Sequence, residues 1–123
     1  MALLAAGVSD AEVLVITDQV HPVSGEVDRY ILLDGPTRLE AELASGLPVD
    51  PVQAAALVQK RLNRGGADLQ HRLGVAYQGV ADARSLGITK IPTVVVDRRY
   101  VVYGEPDVAH AISRINTYRS ARP

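Results

Sequence analysis

The segment Gly87-Ile88-Thr89-Lys90-Ile91-Pro92-Thr93 runs straight into Val94-Val95-Val96-Asp97-Arg98-Arg99-Tyr100-Val101-Val102-Tyr103-Gly104, and its reading decides the fold. Thr93 to Val96 is β-branched throughout, Asp97-Arg98 supplies turn chemistry, and YVVY resumes the pattern. This predicts a β-hairpin that Gly104 ends. A proline immediately before a strand turns the chain. Downstream, Pro106 to Tyr118 places Val108, Ala111, Ile112, Ile115 and Tyr118 on one face of a helix. Arg119 to Pro123 is read as a frayed tail.

Upstream, Glu12 to Thr17 (EVLVIT) and Tyr30 to Leu33 read as two short strands separated by turn residues. Asp34-Gly35-Pro36 opens a helix, with an acceptor side chain available as cap, ahead of Leu39, Leu43 and Leu47. Gly46 and Pro48 stop it. Asp50-Pro51-Val52-Gln53 opens a second, with Asp50 able to accept from the orphan N–H groups and Gln53 at the reciprocal position. Its stripe is Ala55, Val58 and Leu62, and Asn63-Arg64-Gly65-Gly66 closes it. A third helix carries Leu69, Leu73, Ala76, Val80 and Ala83 and ends at Gly87. Three helices therefore separate the first two strands from the hairpin. The link between those strands is short for a parallel crossover, so any helix in it is reduced to a turn or lost.

The chain has 123 residues, enough for one core and one domain. With no Phe and no Trp, that core is built from Val, Leu, Ile and Ala with a few Tyr. Thirteen basic residues against 14 acidic ones, for a formal charge of −1 and no run of either sign, argue against nucleic acid or an anionic membrane as partner. The absence of cysteine excludes disulfides, thiolate metal sites and thiol nucleophiles, and leaves the redox compartment open. Residues 1–11 are apolar and small, with Ser9-Asp10-Ala11 resembling a signal-peptidase site, but they lack a basic start and a long apolar run. They read as the remnant of a signal peptide or as a disordered N-terminus. Residues 12–119 form the domain and 120–123 a tail.

The Ile91-Pro92-Thr93 turn, the hairpin, Gly104 and the following amphipathic helix resemble the second half of a thioredoxin-like domain. That resemblance implies a cis Pro92 and a mixed four-stranded sheet, with Glu12–Thr17 and Thr93–Val96 central and antiparallel. The hairpin's second strand and Tyr30–Leu33 lie outside them. Where thioredoxins carry C-x-x-C, this chain has Asp18-Gln19-Val20-His21-Pro22-Val23-Ser24-Gly25, so the thiol chemistry has no counterpart. From about Asp34 to Tyr118, the segments RLEAELASGLP, Asp50-Pro51, LGVAYQGVADA and TKIPTVVVDRRYVVYGEPDV resemble a family of small exported proteins encoded by bacterial integrating conjugative elements. The family implies an accessory part in conjugative DNA transfer, near a type IV secretion apparatus in the periplasm, with a thioredoxin-like fold and no established catalytic activity.

Other chemistry is weaker. Asp18, His21 and Ser24 have the residue types of a hydrolase triad but crowd into one loop, whereas triads draw on separate rigid elements. His21, His71 and His110 show no metal-ligand spacing. Arg98-Arg99, Arg61 and Arg64 lie on unlinked elements, and Arg64-Gly65-Gly66-Ala67 lacks the ends of a phosphate loop. The expectation is a protein without catalytic residues, metal or cofactor, binding a protein or peptide of the conjugation apparatus through His21, Pro22, Ile91, Pro92 and Thr93. The alternatives are a periplasmic module that holds extended peptides, and a metal-binding or hydrolytic protein that uses the His21 loop.

Overall fold

The computed structural model describes residues 11–121. The reading of residues 1–11 as a leader remnant falls, but for Ala11, outside them. Four strands, β1 (Val13–Thr17), β2 (Arg29–Leu32), β3 (Thr93–Val96) and β4 (Tyr100–Tyr103), form one mixed sheet in the order β2-β1-β3-β4. β2 runs parallel to β1, and the other two pairings are antiparallel. Three helices complete the fold: α1 (Gly35–Ala44), α2 (Pro51–Ser85) and α3 (Val108–Ala121).

Every residue of β1 and β3 is buried. Both faces of the sheet centre are covered, which is why these strands read as unbroken, largely β-branched runs rather than alternating ones. Val13, Val15, Val94, Val96 and Val102 face α3 and meet Val108, Ala111 and Ile115. Leu14, Ile16, Ile31 and Val95 face the other way and meet Ala83 of α2. Each fully buried Val or Ile contributes roughly 1.5–3 kcal/mol relative to exposure, so an aliphatic core suffices without large aromatics.

The connection between β1 and β2 contains no helix. Val23 is buried in it and Val27 packs beside Val23 in the cluster under α3, so two valines of a loop do the covering that a crossover helix would otherwise do. Ser24 pairs with the strand-like start of α3: its N–H donates to Pro106 O at 2.9 Å, and its carbonyl accepts from Val108 N at 2.9 Å. Gly25, at φ 122, lies so close that an added Cβ would stand 2.7 Å from Val108 Cβ.

Several boundaries differ from the sequence reading. The break expected at Gly65-Gly66 is present, but it is a single non-helical residue joining two helical halves and not a connecting loop. The helical run continues from Pro51 to Ser85 through a kink at Gly66 (φ 54, ψ −142). One residue in a conformation closed to most side chains redirects the axis, and Leu69 folds over the space left at Gly65. The stripe Ala55, Val58 and Leu62 stays largely uncovered, Leu62 being 37% exposed, because the sheet lies under the other half of α2. Asp50 does cap α2, its carboxylate accepting from Gln53 N at 2.9 Å, with Pro51 at the first position. Asp34 does not cap α1; its carboxylate accepts from Gln19 N at 3.2 Å instead. α3 runs on to Ala121, past the expected end at Tyr118, because no glycine or proline intervenes.

Candidate functional site

Ile16 pairs with Thr93, so Thr17 and Pro92 are the next positions outward at one end of the two central strands. The loop after β1 and the turn before β3 therefore leave the sheet at the same end.

On the β1 side, Thr17 is fully buried and its hydroxyl donates to the His21 carbonyl at 2.6 Å, closing a tight turn. Inside that turn Asp18 Oδ1 accepts from Val20 N at 3.1 Å and His21 N at 3.0 Å. It also meets His21 Nδ1 at 2.7 Å. An ionised carboxylate only accepts, so Nδ1 carries the proton, and Nε2 of the neutral ring is left as an acceptor. The side-chain hydrogen bond from His21 is the main reason the Asp18 carboxyl titrates below the usual aspartate range, with the two backbone donors adding to it. His21 keeps 53% of its side chain exposed, and Pro22 is exposed beside it.

On the β3 side, the Ile91–Pro92 bond is cis, as the thioredoxin-like resemblance implies. The Pro92 carbonyl accepts from Gly104 N at 2.8 Å, tying the turn to the end of β4. Pro92 is half-buried, and Ile91 is half-buried against the core on the α2 side. Thr93 has no exposed surface; its hydroxyl donates to the Lys90 carbonyl. Its side chain is thus foundation and not surface, because both faces of β3 are covered. The exposed part of the group is His21 and Pro22, with the partly accessible Ile91 and Pro92.

Two residues that sequence reasoning missed adjoin the turn. Tyr103 pairs with Thr93 across the hairpin and is 43% exposed, and the Lys90 ammonium lies 5.8 Å from its ring centroid. The outward tyrosine of YVVY was the available signal, since alternate strand residues point to opposite faces.

Chemically, the loop holds an acid–imidazole pair with no nucleophile completed. Ser24 Oγ donates to Pro106 O at 3.3 Å, so the three triad residue types share a loop but only Asp18 and His21 are joined. His71 is exposed on α2, and His110 Nδ1 lies 2.8 Å from Glu105 Oε1 on the α3 side. Among the described residues no group of three or more His, Asp or Glu side chains is placed to hold a metal ion. Nor is any described helix long and apolar enough to cross a membrane. The arginines considered above as a basic patch are dispersed: Arg98 pairs with Glu12 at 3.1 Å and Arg61 donates to Leu43 O at 2.7 Å.

Over residues 10–121 the chain matches the family described as Protein of unknown function (DUF1525), and it belongs to that family. Comparison with curated proteins and with solved structures gives no match.

Proposed function

We propose that this family member is a thioredoxin-like protein without redox cysteines, exported to the periplasm, that serves conjugative DNA transfer as a non-catalytic interaction partner of the type IV secretion apparatus. The observation that carries the reading is the pairing of two loops at one end of the sheet. A cis proline stands immediately before β3, and a turn immediately follows β1 at the position where a redox relative holds its thiols. Asp18 and His21 have the three-residue offset of a C-x-x-C pair, and their 2.7 Å contact replaces a covalent link with a charge-assisted one. The resemblance of the Asp34–Tyr118 stretch to proteins of integrating conjugative elements supplies the biological setting. The parallel β2-β1 pair beside an antiparallel hairpin supports the fold assignment.

Such a surface suits a protein partner. Two prolines and the Thr17 and Asp18 hydrogen bonds hold its loops in place, so little conformational freedom is lost on binding. Affinity capture of the tagged protein from cells carrying the whole conjugative element tests this. The expected result is co-purification of a transfer-apparatus component that is lost when His21 and Pro22 are replaced together. Capture of the same component irrespective of those replacements places the contact elsewhere, and capture of no transfer component refutes the proposed role.

A further inference from the structure

A second surface adjoins the β1 loop at Gln19 and extends from there along the far side of β2. β2 is an edge strand: β1 pairs with one side of it and, among the described residues, no strand pairs with the other. A cavity of about 430 Å³ opens beside it, bounded by α1 and the C-terminal half of α2. All four β2 residues, Arg29 to Leu32, line it. Side chains of successive strand residues point to opposite faces, so a cavity touching four in a row meets the strand along its edge and not on one face. The floor is apolar, with Ile31, Leu39, Val75 and Ala76 contributing. Two glycines let the elements around it pack closely: a Cβ at Gly79 would stand 3.1 Å from Ile31 Cγ2, and one at Gly35 would stand 3.4 Å from Ala76 Cβ.

The rim carries Arg29, Arg38 and Arg72 against a single carboxylate, Glu42. Arg72 lies 3.4 Å from Glu42, and Arg29 is paired with Asp82 at 2.5 Å. Arg38 has no side-chain partner among the described residues, although it stands in the first turns of α1, where a cation gains nothing from the helix dipole. The unmatched charge of the groove is therefore positive, and it sits above an apolar floor and beside an open strand edge.

We infer that this groove receives an extended acidic segment of another protein, which adds to β2 as a further strand, sets an apolar side chain on the floor and places a carboxylate against Arg38. The four residues of β2 give pairing for about four residues of such a segment, roughly 13 Å at the usual rise per residue. Edge pairing contributes the main-chain hydrogen bonds, and the Arg38–carboxylate contact, bidentate by the geometry of both groups, selects the charge. This surface shares Gln19 with the β1 loop but none of His21, Pro22, Ile91, Pro92 or Thr93, so the substitutions that test one assignment leave the other's residues in place.

The test uses the full chain, isotope-labelled for nuclear magnetic resonance, and two blocked five-residue peptides, one alternating valine with glutamate and the other valine with lysine. The glutamate peptide is expected to shift the amide signals of Arg29 to Leu32 and to bind at least tenfold more weakly to Arg38→Glu. Val75→Glu, which puts a like charge on the floor at a side chain 55% exposed, is expected to weaken it similarly, and both variants should unfold with unchanged midpoints. Arg114→Glu on α3 should leave binding unaltered. Equal binding of the lysine peptide, amide shifts confined to β4, or an unchanged affinity for Arg38→Glu overturns the proposal. So does inorganic phosphate that perturbs Arg38 while the peptide moves no β2 amide, which makes the groove a simple anion site.

Discussion

Replacing Gly25 by alanine probes the part of the fold in which a loop stands in for a crossover helix. Two costs follow from the structure. Gly25 has φ 122, outside the range side-chain-bearing residues ordinarily adopt, which costs on the order of 1–2 kcal/mol. The new methyl would stand 2.7 Å from Val108 Cβ and 3.3 Å from its Cγ2, in a core cluster where Val108 is 2% exposed. Relieving that overlap costs roughly 1–3 kcal/mol, because Val108 begins α3 and cannot turn away without loosening the Ser24 bridge. Together the loss is about 3 kcal/mol, a large share of the 5–15 kcal/mol that holds a domain of this kind together. Urea unfolding should show the midpoint lowered by about 1–2 M. Gly46→Ala is the control, since Gly46 also has positive φ (64) but nothing within 4 Å of the new methyl. It should lose only about 1 kcal/mol. If Gly25→Ala loses no more than Gly46→Ala, the close approach of the loop to α3 is not a feature of the folded protein.

Further outcomes follow from the same structure. Val95→Ala, at a fully buried position on the α2 side of the sheet, should cost about 2 kcal/mol in urea unfolding, whereas Val101→Ala beside it, 40% exposed, should cost under about 0.5 kcal/mol. Arg98→Val places a β-branched residue at φ 55 in the hairpin turn and should cost on the order of 1–2 kcal/mol, seen as a lower melting temperature. Asp18 has its folded-state pKa depressed below its unfolded value, so its contribution is present above the unfolded pKa and is lost as pH falls through the folded one. The stability difference between the wild type and Asp18→Asn should therefore be steady at neutral pH and shrink in acid. A difference that grows in acid contradicts the assigned Asp18–His21 contact.

What was legible in the sequence was what local chemistry dictates. β3 and β4 begin and end where the β-branched runs do, and Asp97-Arg98 turns the hairpin with both residues at positive φ. A tie from the residue before β1 holds that turn, Glu12 N donating to Asp97 Oδ1 at 3.1 Å. Asp50 is readable as a cap because its partner is three residues away, while Asp34 is not, because its partner Gln19 comes from a different loop. Gly65-Gly66 announces a break, but the two residues alone do not distinguish a loop from a one-residue kink. The exposure of the stripe on the first half of α2 has a related reason: periodicity names an apolar face without saying whether the sheet reaches it. At the candidate site the residue types were readable and their exposure was not. Thr93 looks like any strand threonine until the neighbours that bury it are in place, and Tyr103 becomes its companion only through the hairpin register.

The most direct measurement is conjugation frequency from donor cells in which the chromosomal copy is deleted and then supplied in trans. His21→Arg combined with Pro22→Glu changes two exposed residues of the β1 loop and leaves the core untouched. The proposed function predicts that deletion lowers transfer, that the wild-type chain restores it, and that the double variant, folded and present at wild-type level, restores at most about a tenth of it. Transfer that is unaffected by the deletion, or fully restored by the double variant, contradicts the account.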